Sequence, residues 1–241
     1  MNKLSLIAFA GTASSLLVAS SADAGILGFA AFVRPAGISP TSNVIVDLVA
    51  VSNSATDKVL NAFNVQTSST FIQQAGTATR GFKPDAASST RSNIVDSFCT
   101  IGVDGGAPYE GQYYASGATG ADGGFTSGWT TLGTTMPTNA GWFVSPPTLP
   151  DGASESLATF TGDRVNSNAG AAAGTFGIWL GHWVFAGTTN SALISLTISA
   201  QVGGQTVTAS VTNFEQLGVI PAPGALALLS LAGVASRRRR A

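Results

Sequence analysis

The chain is short of the residues on which many enzymes and disulfide-held proteins depend, with one cysteine and one histidine among its 241 residues. Cys99 alone cannot form an intramolecular disulfide, so the fold must depend on its hydrophobic core even in an oxidising compartment. A serine hydrolase would have His182 as its only histidine base, and no Gly-x-Ser-x-Gly motif marks a nucleophile. These shortages favour a non-enzymatic protein and leave a secreted hydrolase as an alternative.

Charge is also scarce, since charged residues make up 10% of the chain. Residues 25–220 carry six lysines and arginines against eleven carboxylates, and six minus eleven gives a net charge of minus five. The net charge of minus one for the whole chain is therefore the sum of an acidic body and a basic tail. An acidic body argues against nucleic acid as a partner.

The N-terminus has the three parts of a secretory signal peptide. Met1-Asn2-Lys3 supplies a positive charge, Leu4–Val18 is a mostly apolar run, and Ala22-Asp23-Ala24 forms a small-residue cleavage site at Ala22 and Ala24. We predict that residues 1–24 are a signal peptide, which signal peptidase removes after Ala24. An N-terminal membrane anchor is the alternative.

The C-terminus combines prolines, a short apolar helix and a basic end. Pro221 and Pro223 keep the backbone extended, so a helix can begin only near Gly224. Residues 224–236 would form a transmembrane helix of only about 20 Å, short of the roughly 30 Å hydrocarbon core. We expect a transient membrane anchor whose Arg237–Arg240 stays on the cytoplasmic side.

This tail, residues 219–241, resembles the PEP-CTERM sorting signal of bacterial exported proteins, in which a Pro-Glu-Pro triplet precedes a transmembrane helix and an arginine cluster. The matching residues are Pro221, Ala222, Pro223, Arg237, Arg238, Arg239 and Arg240, with Ala222 standing where the family has glutamate. The resemblance implies that an exosortase, a membrane-embedded cysteine transpeptidase, recognises the tail and cleaves it near the triplet. The body would then reach the cell surface or the extracellular matrix. An ordinary C-terminal anchor is the alternative.

Four segments of the body resemble recurrent motifs of PEP-CTERM exported proteins of planctomycete type. That group has no established activity, so the resemblance carries over no functional residue and implies only that the body is one module. The segments are Val46–Ala50, Val59–Asn64, Asp96–Gly102 and Gly141–Pro147.

Residues 25–218 predict one all-β domain, an antiparallel β-sandwich or jelly-roll-like fold, because short β-type runs alternate with glycine-rich turns. Gly203-Gly204 separates two alternating runs and predicts a hairpin that pairs Val202 with Gln205. The same register places Ala200 opposite Val207, Ile198 opposite Ala209 and Leu196 opposite Val211.

Earlier runs predict further strands. Val44–Ala50 and Val59–Val65 are expected to form a meander, with Val59, Phe63 and Val65 on one face. Ala115–Pro150 is expected to be a long loop. The shorter runs expected to be β-type are Phe71-Ile72, Tyr109–Tyr114, Trp142–Val144, Leu157–Phe160 and Phe176–Phe185.

Cys99 lies in a β-rich run, Ile94–Val103, in which residues 95, 97, 99, 101 and 103 share one face. Four of these five are valine, cysteine or isoleucine, so we predict that the thiol is a small buried core group. A nucleophile or an intermolecular bridge is the alternative.

Two further sets of residues are candidates for binding. Trp129, Trp142, Trp179 and Trp183 with Tyr109, Tyr113 and Tyr114 would suit stacking on sugar rings of an extracellular polysaccharide, or else pack in the core. Calcium ligands are conceivable at Asp104, Asp122, Asp151, Asp163, Asn166 and Asn168, but Asp-Gly pairs also mark ordinary turns. The sequence thus predicts no metal or cofactor. It predicts a surface or matrix protein, with a carbohydrate-binding module as the alternative. The expected partners during export are signal peptidase and, as the resemblance implies, an exosortase.

The lone cysteine gives a direct test. A reducing agent should leave the melting temperature of the monomer unchanged, because Cys99 has no second cysteine in the chain with which to bond. Thermal melts followed by circular dichroism with and without dithiothreitol measure this. A large shift would reveal a disulfide between chains and contradict the core role of Cys99.

Overall fold

A computed structural model describes residues 25–36, 43–68, 70–72, 82, 90–102, 113–117, 120–122, 135–137, 140–144, 154–186 and 192–217. The predicted signal peptide, residues 1–24, and the predicted sorting signal, residues 219–241, lie outside this part of the chain. In the described ranges no helix has the length and apolar character needed to cross a bilayer.

Twelve strands in the described residues form two antiparallel sheets, which confirms the all-β class. Sheet A has the order β4-β10-β2-β1-β9, and β8 also pairs with β10. Its strands are β1 (Ile26–Pro35), β2 (Val44–Ser52), β4 (Phe98–Cys99), β8 (Glu155–Ser156), β9 (Asp163–Asn166) and β10 (Phe176–Phe185). Sheet B has the order β12-β11-β3-β7-β5-β6. Its strands are β3 (Lys58–Thr67), β5 (Tyr113–Gly117), β6 (Gly120–Asp122), β7 (Ala140–Val144), β11 (Leu193–Val202) and β12 (Gln205–Glu215).

The main core lies between the two sheets, as in a β-sandwich. Alternate residues of β2 and β10 in sheet A meet alternate residues of β3 and β11 in sheet B. Its buried members include Val46, Leu48, Ala50, Ile178, Leu180, Val59, Ala62, Ile194, Leu196 and Ile198. A buried aliphatic side chain of this kind contributes about 1.5–3 kcal/mol, so this core supplies the stability that no disulfide provides.

The outer face of sheet A is buried as well. Val49 and Val51 of β2 pack there with Phe98, Leu157 and other apolar residues in a second cluster. The covering elements include a 3₁₀ turn, Leu157–Thr159, and a five-residue helix, α1 (Ala169–Ala173). Sheet A is therefore a middle layer, which explains why β2 is apolar on both faces.

The predicted hairpin is confirmed. β11 and β12 pair Val202 with Gln205, Ala200 with Val207, Ile198 with Ala209 and Leu196 with Val211. Gly203 and Gly204 have φ of +54° and +83°, the backbone that a two-residue type I′ turn requires.

The meander predicted for residues 44–65 is wrong, because β2 belongs to sheet A and β3 to sheet B. A polar corner turns the chain between the sheets. The Ser52 hydroxyl donates to Asp57 Oδ2 at 2.5 Å, and both side chains are buried. The Ser54 amide donates to Ser52 Oγ at 3.0 Å, which fixes the turn.

Two irregularities in β3 change the face predicted for Phe63. The pairing of β3 with β11 shifts register between Val59 and Asn61, which brings Ala62 to the buried face in place of Phe63. The pairing with β7 shifts again between Ala62 and Val65, where Asn64 has a φ of +52°, and this returns Val65 to the buried face. The buried residues are consequently Val59, Ala62 and Val65, while Phe63 is half-buried. A bulge inserts one residue and reverses the alternation beyond it.

Three other predictions need correction. In the described residues 94–102 of the run Ile94–Val103, only Phe98–Cys99 is a strand, and Val95 is 40% exposed. The run Leu157–Phe160 is not a strand, because Leu157–Thr159 forms the 3₁₀ turn and Phe160 is its C-cap. Ala115–Pro150 is not all loop, because β6, β7 and most of β5 lie within it. Phe176–Phe185 is a strand as predicted.

The type I′ turn generates a stability prediction. Nothing lies within 4 Å of a Cβ built on Gly203 or Gly204, so a side chain there would meet no steric clash. The only cost in free energy is that of placing a residue with a Cβ at a positive φ. Gly204→Val should lower the free energy of unfolding by about 1–2 kcal/mol, measured by urea titration. Gly203→Asn is the control and should cost less, since asparagine tolerates this backbone. An equal loss in both variants would contradict the backbone explanation.

Candidate functional site

A buried acid–histidine pair lies on the outer face of sheet A. Asp47 of β2 and His182 of β10 are directly paired in the sheet, and His182 Nδ1 lies 2.7 Å from Asp47 Oδ1. Both side chains are fully buried. Asp47 points outward because Val46 and Leu48, its neighbours, point into the inter-sheet core.

A bulge in β10 brings His182 to the same face. Leu180 faces the inter-sheet core, so strict alternation would turn His182 inward as well, but the register with β2 shifts between Trp179 and Gly181. Trp183 therefore takes the inward position. A Cβ on Gly181 would lie 2.3 Å from the Trp183 ring, so glycine is needed there.

Asp47 is neutralised on its other oxygen by an arginine from the next strand. Arg34 of β1 forms an ion pair with Asp47 Oδ2 and also donates to the carbonyl of Arg91. A third Arg34 bond reaches the Thr161 carbonyl at 3.3 Å. Through its bonds to the two carbonyls, Arg34 ties two covering segments to sheet A.

The second ring nitrogen of the histidine is also occupied. His182 Nε2 lies 2.8 Å from the backbone carbonyl of Asn93. Both partners of the ring, a carboxylate and a carbonyl, are hydrogen-bond acceptors, so the ring is held at both of its nitrogens. Phe98 stacks on the ring with centroids 5.0 Å apart.

A second arginine closes the outer side of this cluster. The Arg91 guanidinium lies 4.1 Å from the Phe160 ring centroid and 4.9 Å from that of Trp179. It forms an ion pair with Glu155 of β8 and a 3.2 Å bond to the Thr159 hydroxyl. Stacking between two rings and pairing with a carboxylate are the interactions for which arginine is suited.

We name Arg34, Asp47, Arg91, Asn93 and His182 the polar clamp. An aspartate–histidine pair is also part of a serine hydrolase triad, but there Nε2 faces the nucleophile hydroxyl. In this chain Nε2 meets the Asn93 carbonyl, and the buried Ser97 hydroxyl accepts from the Val184 amide at 2.8 Å. The geometry cross-links the segment 90–98 to sheet A.

The described tryptophans are core residues. Trp142, Trp179 and Trp183 are fully buried, and Trp142 Nε1 donates to the Thr100 carbonyl at 3.0 Å. Stacking on a sugar ring requires an exposed face, which none of these three rings offers. Trp129 and Tyr109 lie outside the described residues, and Tyr113 and Tyr114 begin β5.

The candidate calcium residues near β9 have other roles. Asn168 Oδ1 accepts from the Ala171 amide at 2.7 Å as the N-cap of α1. Asn166 Oδ1 accepts from Arg164 Nε at 2.7 Å. Asp122 ends β6, whereas Asp104 and Asp151 lie outside the described residues. Within the part of the chain that the structure describes, no three acidic, histidine or cysteine side chains group together.

Cys99 is fully buried in the inter-sheet core, as predicted. Burial raises the pKa of its thiol well above the ordinary value, because the thiolate would lose its hydration. A thiol held in the protonated form is a poor nucleophile, which agrees with a packing role.

A groove of about 370 Å³ opens beside α1 and is lined in part by Phe32, Leu157 and Arg164. Arg164 donates to the carbonyls of Ala171 and Gly174 at the end of α1, and burial lowers the pKa of its guanidinium. The guanidinium is thus engaged as a helix cap.

Sequence reasoning considered His182 but missed its partners. The available signal was Asp47 itself, one carboxylate inside the apolar run Val44–Val51. A carboxylate in such a strand must find a cation or several donors. Nothing in the local sequence identifies Arg34 or His182 as that partner, since the pairing of β1 and β10 with β2 is what brings them close to Asp47.

Comparison of the chain with models of protein families, with curated proteins and with solved structures finds no match. Function must therefore be argued from the residues and their geometry alone.

The polar clamp generates a mutational prediction. Asp47→Asn should lower the free energy of unfolding by about 3–5 kcal/mol, because Arg34 would lose its buried counter-charge and His182 would lose the carboxylate beside its Nδ1. Urea titration followed by tryptophan fluorescence measures it. Asp163→Asn, at an exposed position of β9, is the matched control and should leave the midpoint unchanged. Equal behaviour of the two variants would show that the clamp contributes little.

Proposed function

We propose that the protein is an exported cell-surface or extracellular-matrix component, structural or adhesive and without catalytic activity, delivered by an exosortase-type system. The observation that carries the proposal is that the described strands all lie between the two predicted targeting segments. The strands begin at Ile26, just after the predicted cleavage site at Ala24, and end at Glu215, before Pro221. Either terminal segment can therefore be removed without loss of a described strand.

The geometry of the polar clamp supports the non-enzymatic part of the proposal. The only histidine is fully buried, and the nitrogen that would act as the base contacts the Asn93 carbonyl. General base catalysis needs this nitrogen within reach of a proton on the substrate or on a nucleophile. As a structural group, His182 instead secures the covering layer of sheet A.

The burial of the described tryptophans supports a structural role over the alternative of a tryptophan-based carbohydrate-binding module. Trp142, Trp179 and Trp183 stabilise the interior, where each large ring buries apolar area in a protein that has no disulfide. An extracellular polysaccharide remains a candidate partner for the outer surface.

The tail tests the proposal. The mature surface form should lack Arg237–Arg240 and should end near Pro223, because a thirteen-residue apolar helix holds the proline-stiffened segment at the membrane only until it is cleaved. Mass spectrometry of protein extracted from the cell surface measures the C-terminus. Recovery of an intact peptide containing Leu231–Ser236 as the main surface form would overturn the sorting model.

Two tail variants separate the parts of the signal. Replacing the four arginines with serine should weaken both retention and orientation, because the charge that resists translocation is lost. Replacing Pro221 and Pro223 with leucine should lengthen the helix, so that precursor accumulates in the inner membrane. Ala222→Ser leaves both prolines in place and is the control, with processing expected to continue.

A further inference from the structure

Strand β12 forms one edge of sheet B. It pairs with β11 along one side, and no strand in the described ranges pairs with its other side. The strand has eleven residues, Gln205–Glu215, which at roughly 3.4 Å per residue is about 37 Å. A long free edge presents a row of backbone donors and acceptors to any extended partner.

The register shows which backbone groups face outward. Val202 and Gln205 close the two-residue turn as a hydrogen-bonded pair, and the N–H and C=O groups of successive residues then alternate between the two sides of the strand. Thr206, Thr208 and Ser210 therefore direct their backbone groups away from β11. All three residues are exposed.

Residues 205–211 of this edge carry no proline, charge or bulge that would block strand pairing, and a β-bulge at Asn213, with a φ of +49°, interrupts only the far end of the strand. Residues 205–214 include no proline and no charged residue, and the nearest charge is Glu215 at the end of the strand. Val207 is 36% exposed on the apolar side. Edges are ordinarily protected by lysine, proline, inward charges or a short strand, so this edge is suited to pairing.

Charge identifies the partner. Residues 25–220 carry a net charge of minus five, six cations minus eleven carboxylates, so two copies of the body repel one another across most surfaces. The strip at residues 205–214 is neutral, and two copies can approach there without bringing like charges together. A basic or an acidic peptide would find no opposite charge in this strip.

We propose that β12 pairs antiparallel with β12 of a second copy of the chain about a two-fold axis. The strand is self-complementary in this arrangement, since the outward groups of one copy meet the outward groups of the other. With the two-fold axis at Thr208, the middle of the three outward-facing residues, Thr208 lies opposite Thr208 of the second copy. Sheet B becomes continuous across the dimer, and the contact is closed because the pairing occupies the same β12 edge in both copies. The dimer goes beyond the proposed function and does not depend on export.

Cysteine cross-linking locates the contact. The full chain purified in detergent is compared as Thr208→Cys and Thr175→Cys, with Thr175 an exposed residue next to sheet A. Cys99 is fully buried and gives no background. Mild oxidation should give a disulfide-linked dimer for Thr208→Cys, because facing residues of paired strands lie within disulfide range. Equal cross-linking at both positions would reflect random collision and would overturn the proposal.

A proline variant tests the backbone pairing. Thr208→Pro removes an N–H that faces away from β11, so the hairpin should keep its β-type circular dichroism while the association constant falls at least about tenfold. Thr208→Val retains the N–H and is the control. Sedimentation velocity across a range of concentrations measures the association. A wild-type chain that stays monomeric throughout, or a dimer equally strong in Thr208→Pro, would overturn the proposal and leave the sorting function untouched.

Discussion

The constraint on which the rest of the structure depends is the burial of one carboxylate. Asp47 sits in the middle of a strand that is buried on both faces, where an unpaired charge would cost several kcal/mol. Arg34 and His182 compensate it from the two neighbouring strands. The order β10-β2-β1 is thus specified by charge as well as by apolar packing.

The partners of Asp47 also bind the segments that cover the outer face of sheet A. His182 also contacts the Asn93 carbonyl, and Arg34 donates to the Arg91 carbonyl, so the segment around residues 90–98 is held over sheet A. Arg91 in turn lies between two aromatic rings and pairs with Glu155. The result is a third layer without long regular elements, fixed mainly by polar contacts to an ordered sheet.

The chemically reactive and aromatic residues lie in the interior and simple polar residues lie on the surface, which agrees with the proposed role. The buried residues include the single histidine, the single cysteine and three of the four tryptophans. The side chains best suited to catalysis or ligand stacking therefore stabilise the fold instead. Much of what β11 and β12 expose is hydroxyl or amide, as in the 2.9 Å contact between the Thr197 and Ser210 hydroxyls. A surface of this kind is better suited to binding through many weak polar contacts than to catalysis at one reactive group.

By itself the sequence determined the all-β class, the β11–β12 hairpin with its register, and the burial of Cys99. These are local properties, because side-chain alternation and a Gly-Gly turn act over a few residues. Only the tertiary structure decided that β2 and β3 belong to different sheets and that Asn64 and Gly181 interrupt the alternation. It also decided that Asp47 meets Arg34 and His182, thirteen and 135 residues away. Contacts across strands depend on which strands become neighbours, and that choice is made by packing and charge compensation over the whole domain.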